Sequence, residues 1–137
     1  MRRDTDDTSL SQVGPRVAGM ALHLGMITTD STDPLPLARW WALALGGEVV
    51  AENDGWFVVV MTSSGALAFQ KVDAVTLGKN RVHLDLVVDG DLDAEHQRLV
   101  GVGARSLGER SEGSARWFTL TDPQGNEFCV APEDHTA

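Results

Sequence analysis

The chain has 137 residues, 42% of them hydrophobic, and a formal charge of -9 at pH 7. The acidic excess argues against nucleic acid or an anionic membrane as partner, since phosphate binding needs clustered Lys and Arg, and no apolar run is long enough to span a bilayer. One cysteine excludes an internal disulfide and favours a reducing, cytoplasmic compartment, and the size allows one domain or two fused small modules.

Met1 to about Val17 is polar and lacks the apolar stretch of a secretory signal. Residues 1–20 are therefore expected to be a flexible tail, with Met20 as an alternative start. Ala21 to Thr29 reads as a strand, with Leu22, Leu24 and Met26 on one face and His23, Gly25 and Ile27 on the other. Asp33 and Pro34 then supply an N-cap and a first helical position. Leu37, Trp40, Trp41 and Ala44 follow at helical spacing, and Gly46-Gly47 stops the helix. A paired aromatic on such a stripe reads as core.

Three strands are predicted next: Glu48 to Glu52, Trp56 to Thr62 and Ala66 to Val72. Asn53-Asp54-Gly55 and Ser63-Ser64-Gly65 are the turns between them. In the last strand Leu67 and Phe69 share a face, opposite Ala66, Ala68 and Gln70.

After a connector ending at Asn80 the order starts again. Arg81 to Val88 reads as a strand with Val82, Leu84, Leu86 and Val88 opposite His83, Asp85 and Val87. Gly90 and Asp91 lead into a helix carrying Leu92, Leu99 and Val100, with His96 at its surface or edge. Ala104 to Leu107 is a strand, Gly108 to Ser114 a polar loop, and Arg116 to Thr121 a strand. The Asp122-Pro123-Gln124-Gly125-Asn126 turn then feeds a strand that puts Glu127 and Cys129 opposite Phe128 and Val130. Asp93, Glu95, Glu109, Glu112, Glu133 and Asp134 read as solvated surface charges.

The halves repeat: His23 and His83 lie 83 − 23 = 60 apart, Trp56 and Trp117 lie 117 − 56 = 61 apart, and at that last offset Cys129 matches Ala68. The expected organisation is α+β: two βαβββ modules, 21–72 and 81–132, with a linker at 73–80 and a C-terminal tail at 133–137. The modules are expected to pair into a cupped mixed sheet around a pocket, with helices on the outer faces.

This repeat, the two histidine strands and the Asp122–Asn126 turn resemble the vicinal oxygen chelate superfamily, which includes glyoxalase I, extradiol dioxygenases and the bleomycin- and fosfomycin-resistance proteins. The chain is similar to its glyoxalase-like domain members. The fold hosts many chemistries, so the resemblance bears on fold more than on reaction. It implies a divalent metal (zinc, iron, nickel or manganese) held by inward side chains from the first and last strand of each module. Carried over, those positions are His23, His83, Ala68 and Cys129, which leaves His23, His83 and Cys129 as candidate ligands. The family usually has Glu where Cys129 stands. Ala68 carries no donor, so a protein without metal is an equal expectation.

Two functions follow from the resemblance. One is a protein that binds a small organic molecule between the modules without the full metal site. The other is a metal-dependent lyase, isomerase or dioxygenase that uses His23 and His83. Both imply a small organic partner and a homodimer. Trp56 and Trp117 could stack a flat ligand or fill core or dimer space. Asp85 beside His83 suits a polar patch of the ligand site. Gln70 and Glu127 share faces with Ala68 and Cys129, two residues along and about 6–7 Å away. Cys129 as a nucleophile needs a base and a depressed pKa, with His23 or His83 as base, and the family offers no precedent.

Overall fold

A computed structural model describes residues 22–133. The expected tail at 1–20, and all but Glu133 of the expected tail at 133–137, lie outside them. The chain divides into two compact units at Val72/Asp73.

The first unit runs β1 (Met26–Ser31), α1 (Pro34–Leu45), β2 (Glu48–Ala51), β3 (Phe57–Thr62) and β4 (Gly65–Lys71). Its four-stranded sheet has the order β1-β4-β3-β2. Strand β1 runs parallel to β4, and the other neighbours are antiparallel. Asp33 stands at the N-cap of α1 with Pro at the helix start, and Gly46 closes the helix in the left-handed region at φ 66°. The helix packs on β3 and β4 and buries Leu37, Ala38, Trp40 and Trp41. The two indoles meet edge to face, 5.1 Å between centroids, inside the core. Val58, Val60, Leu67 and Phe69 supply the buried face of the sheet.

The second unit repeats the plan with β5 (Leu84–Val88), α2 (Leu92–Gly101), β6 (Arg105–Glu112), β7 (Ala115–Thr121) and β8 (Glu127–Pro132). Its sheet order is β5-β8-β7-β6, again with the first strand parallel to the last. Asp91 caps α2 by accepting from the backbone N–H groups of Asp93 and Ala94. Leu92 and Leu99, one heptad apart, anchor the helix, and Phe118, Leu120, Phe128 and Val130 form the core beneath it. The two mixed sheets, each with its helix, are the α+β arrangement expected from the sequence.

Three boundaries differ from expectation. The stretch read as a polar loop, Gly108 to Ser114, is mostly strand: β6 continues to Glu112 as an edge strand. A register shift between Ser106 and Gly108, with Gly108 at φ 112°, is a bulge that lets a polar edge keep pairing with β7. The first strands also start late. Strand β1 begins at Met26 and β5 at Leu84, so His23 and His83 both precede the hydrogen-bonded ladder.

Candidate functional site

His96 of α2 stacks on Phe118 of β7, with centroids 3.8 Å apart, so the face carrying Phe118 is the helix face of the second sheet. Phe118 pairs with Val130, and Leu120 with Phe128, on that same face. Cys129 therefore points the other way. Its two cross-strand partners, Asp85 on β5 and Thr119 on β7, point with it. His83, two residues before Asp85, has the same parity.

The result is a cluster on the sheet face opposite α2. The imidazole of His83, the carboxylate of Asp85 and the thiol of Cys129 each offer a donor atom, all within 4.8 Å of one another. His83 Nε2 lies 3.2 Å from Asp85 Oδ1, and both side chains are open to solvent, at 41% and 74%. Cys129 is half-buried, and its Sγ lies 3.6 Å from Thr119 Oγ1, either atom being able to donate. Thr119 itself is buried.

Asn80 positions the histidine. Its Oδ1 accepts from the backbone N–H of Glu127 at 2.7 Å, and its Nδ2 donates to the carbonyls of Glu127 and Val82. One side-chain amide thus substitutes for a strand residue and ties the approach to β5 to the start of β8. Behind the cluster, buried Asp122 accepts from the N–H groups of Gln124 and Asn126 and from the Asn126 side chain, which fixes the turn that launches β8.

Of the expected site residues, His83, Asp85 and Cys129 come together. Trp117 is half-buried and shares their face, because it neighbours Phe118 on a strand. It sits opposite Arg110 of β6. Glu127 is also on that face, with its backbone held by Asn80. Gln70 is exposed on β4, on the face of the first sheet that α1 does not cover. Trp56 precedes β3, is 61% exposed, and has the Lys71 ammonium 6.0 Å from its ring. His23 is exposed ahead of β1.

The sheet registers also correct two matches drawn from sequence offsets. Ala68 and Cys129 lie 129 − 68 = 61 apart, but their parallel-strand partners Thr28 and Asp85 lie 85 − 28 = 57 apart. Two residues earlier, the place that corresponds to His83 is Met26, not His23. Likewise Val58 pairs with Phe69 as Phe118 pairs with Val130, so Trp117 corresponds to Phe57 rather than Trp56.

Thr119 and Asn80 escaped the sequence reading. Thr119 was recoverable, since Trp117, Thr119 and Thr121 alternate with Phe118 and Leu120. Asn80 was not, because its partner lies 47 residues away. His96, expected at the helix surface or edge, is half-buried there, stacks on Phe118 and meets Ser106 Oγ at 2.8 Å through its Nε2. Two charges expected to be merely solvated, Asp93 and Glu109, both accept from Arg116 at 2.7 Å. Those bonds, Glu109's first, raise the guanidinium's pKa further above its ordinary value.

The model for the glyoxalase-like domain matches residues 26–131, nearly all of the described chain. The chain belongs to the glyoxalase-like domain family. Solved structures of similar fold lie in the same vicinal oxygen chelate superfamily. A glyoxalase/bleomycin resistance protein/dioxygenase family enzyme from Burkholderia phytofirmans aligns at TM-score 0.69 with 15% identity, over 79% of this chain and 96% of its own. A lactoylglutathione lyase from Agrobacterium tumefaciens gives 0.64 and 15%, over 82% and 95%. A fosfomycin resistance protein from Listeria monocytogenes gives 0.67 and 14%, over 82% and 91%. At these identities the likeness is one of fold. No curated protein matches the chain.

The superfamily implies a metal held by both modules, and the glyoxalase-like chain here does not fit that set. In the first module the two corresponding places hold Met26 and Ala68, a thioether and a fully buried methyl. Neither is an anionic or imidazole donor for a divalent ion. The second module keeps a donor at both places, His83 and Cys129, the latter where the family usually has Glu, and Asp85 joins them. Among the described residues, no helix is long and apolar enough to cross a membrane.

Proposed function

We propose that this glyoxalase-like protein binds a small organic molecule over the open face of its second sheet, without the superfamily's complete metal set. The observation that carries this reading is the make-up of that face. Trp117 offers a half-buried indole in line with Thr119, Asp85 and Cys129, and Arg110 stands opposite it. A flat ring would stack on the indole, while the guanidinium and the polar row fix its substituents. Ala68 bears only on the absence of the complete metal set, since a fully buried methyl offers no coordination.

Titrating the full chain with a panel of planar organic acids and phenols, read by tryptophan fluorescence, tests this. At least one compound should quench saturably, and Trp117→Leu should weaken it about ten-fold or more, the scale of one lost aromatic stack with its buried area. No saturable quenching by any compound, or equal affinity in Trp117→Leu, would overturn the reading.

A second reading, a metal-dependent lyase, isomerase or dioxygenase, is favoured by one observation only: three donors of different chemistry converge around Cys129. Turnover that follows added metal and is lost in His83→Ala would select it over simple binding.

A further inference from the structure

We propose that the second module holds a transition-metal ion by itself, through His83, Asp85 and Cys129, with zinc as the fitting ion. This goes beyond binding of an organic ligand and differs from the superfamily's arrangement, in which both modules contribute ligands.

The argument starts with the donor set. Imidazole, thiolate and carboxylate together suit zinc, which takes nitrogen, sulfur and oxygen in one tetrahedral shell. Hard ions such as magnesium and calcium take oxygen ligands, and a sulfur donor selects against them. Bond lengths of about 2.0–2.3 Å put tetrahedral donors about 3.3–3.8 Å apart. His83 and Asp85 already stand at 3.2 Å, and the full set lies within 4.8 Å, so rotation of exposed side chains closes the shell without moving a strand.

Backbone geometry supplies the second part. Asp85 and Cys129 are direct partners across the parallel β5–β8 pair, so their side chains leave adjacent backbones on one face. His83 enters from two residues earlier, with its approach pinned to β8 by Asn80. Thr119, opposite Cys129 on the other flank, places a hydroxyl against the sulfur. That hydroxyl donates to the thiolate once the thiol proton has passed to solvent on coordination, the outer-shell support typical of built metal sites. Three ligands leave the fourth tetrahedral position for water or for an oxygen of a bound ligand.

Cobalt(II) is the test probe, because thiolate ligation gives it a near-ultraviolet charge-transfer band and tetrahedral geometry strengthens its visible bands. Reduced full-length protein should bind one cobalt per chain with both signatures, and zinc should displace it. Asp85→Asn and Cys129→Ser, both nearly isosteric, should weaken binding about 100-fold or more, with Cys129→Ser also losing the charge-transfer band. Thr119→Val should weaken it about ten-fold, the lower end expected for an outer-shell contact. His23→Ala should leave the titration unchanged. Circular dichroism melts of the metal-free variants verify that each is folded. The proposal fails if cobalt binds without a sulfur band, if no stoichiometric binding occurs, or if His23→Ala abolishes binding while Asp85→Asn does not. The last result would point to a site shared by both modules. Because only the metal is added, failure here leaves the organic-ligand reading to its own fluorescence test.

Discussion

The two modules share one plan and divide its chemistry unequally. Each sheet pairs its first strand in parallel with its last, and each has one helix. On the open face of the second sheet the central row reads Asp85, Cys129, Thr119; in the first, the matching row reads Thr28, Ala68, Val59. The lesson is that sheet register is kept by the core residues on the covered face. The open face is therefore free to lose donors in one copy and retain them in the other.

If the cores are alike in kind, emptying either should cost the same. Phe69 and Phe128 are 2% and 1% exposed, each in the last strand of its module. Phe69→Ala and Phe128→Ala should each destabilise by about 3–5 kcal/mol, the usual loss for a fully buried phenyl group. Urea denaturation followed by circular dichroism measures both. A cost below about 1 kcal/mol in one module alone would break the symmetry claimed for the cores.

A smaller cost should follow opposite substitutions at one matched backbone site. The amide of Gly47 bonds to the carbonyl of Ala42, and that of Ala104 to the carbonyl of Leu99, at the same offset of 104 − 47 = 99 − 42 = 57. The first module needs glycine there because a Cβ on Gly47 would collide with the Met61 carbonyl oxygen. The second accommodates a buried alanine. Gly47→Ala should destabilise by about 1–3 kcal/mol through overpacking. Ala104→Gly should cost about 1 kcal/mol through chain entropy and a lost methyl. Stabilisation by Gly47→Ala would mean that the β2–β3 edge gives way.

The same comparison explains what could be read in the sequence. Helix α1 was legible from Asp33-Pro34 at its start and the apolar spacing of Leu37, Trp40 and Trp41. That His83 shares a face with Asp85, and Glu127 with Cys129, was legible from strict alternation; that these two strands are neighbours was not. Alternation does not reveal where a ladder begins, however. Leu22, Leu24 and Met26 keep period two, yet Leu22 and Leu24 are 97% and 76% exposed and lie ahead of β1. That continuity made His23 look like the mate of His83. Constant offsets misled for a related reason. The spacing between modules is 57 at the first strands and 61 at the last, with β2 and β6 each carrying a bulge and the final turns differing in length. The polar run in β6 hid a strand because an edge exposed to water needs few apolar residues.

The smallest expected difference lies in the helices. Helix α1 has no acidic residue in its first turn and no basic residue in its last, whereas α2 has Asp93 and Glu95 first and Arg98 last. Hydrogen bonding to Arg98 lowers the Glu95 pKa below its ordinary 4.5, against a smaller opposing effect of burial. A carboxyl depressed on folding adds stability that is fully present above the unfolded value. That stability is lost as pH falls through the lower folded value. The Arg98 side chain is 42% exposed and that of Glu95 26%, so water still screens this i,i+3 pair and limits it to about 0.5 kcal/mol or less. Amide hydrogen exchange between pH 5 and pH 3 should therefore show α2 losing slightly more protection than α1, after correction for intrinsic rates. Arg98→Gln should remove the pH-dependent part of that difference, while the N-cap bonds of Asp91 keep the helix start in place at pH 5. If α1 loosened as much as α2 over this range, the charge asymmetry between the helices would have no thermodynamic consequence.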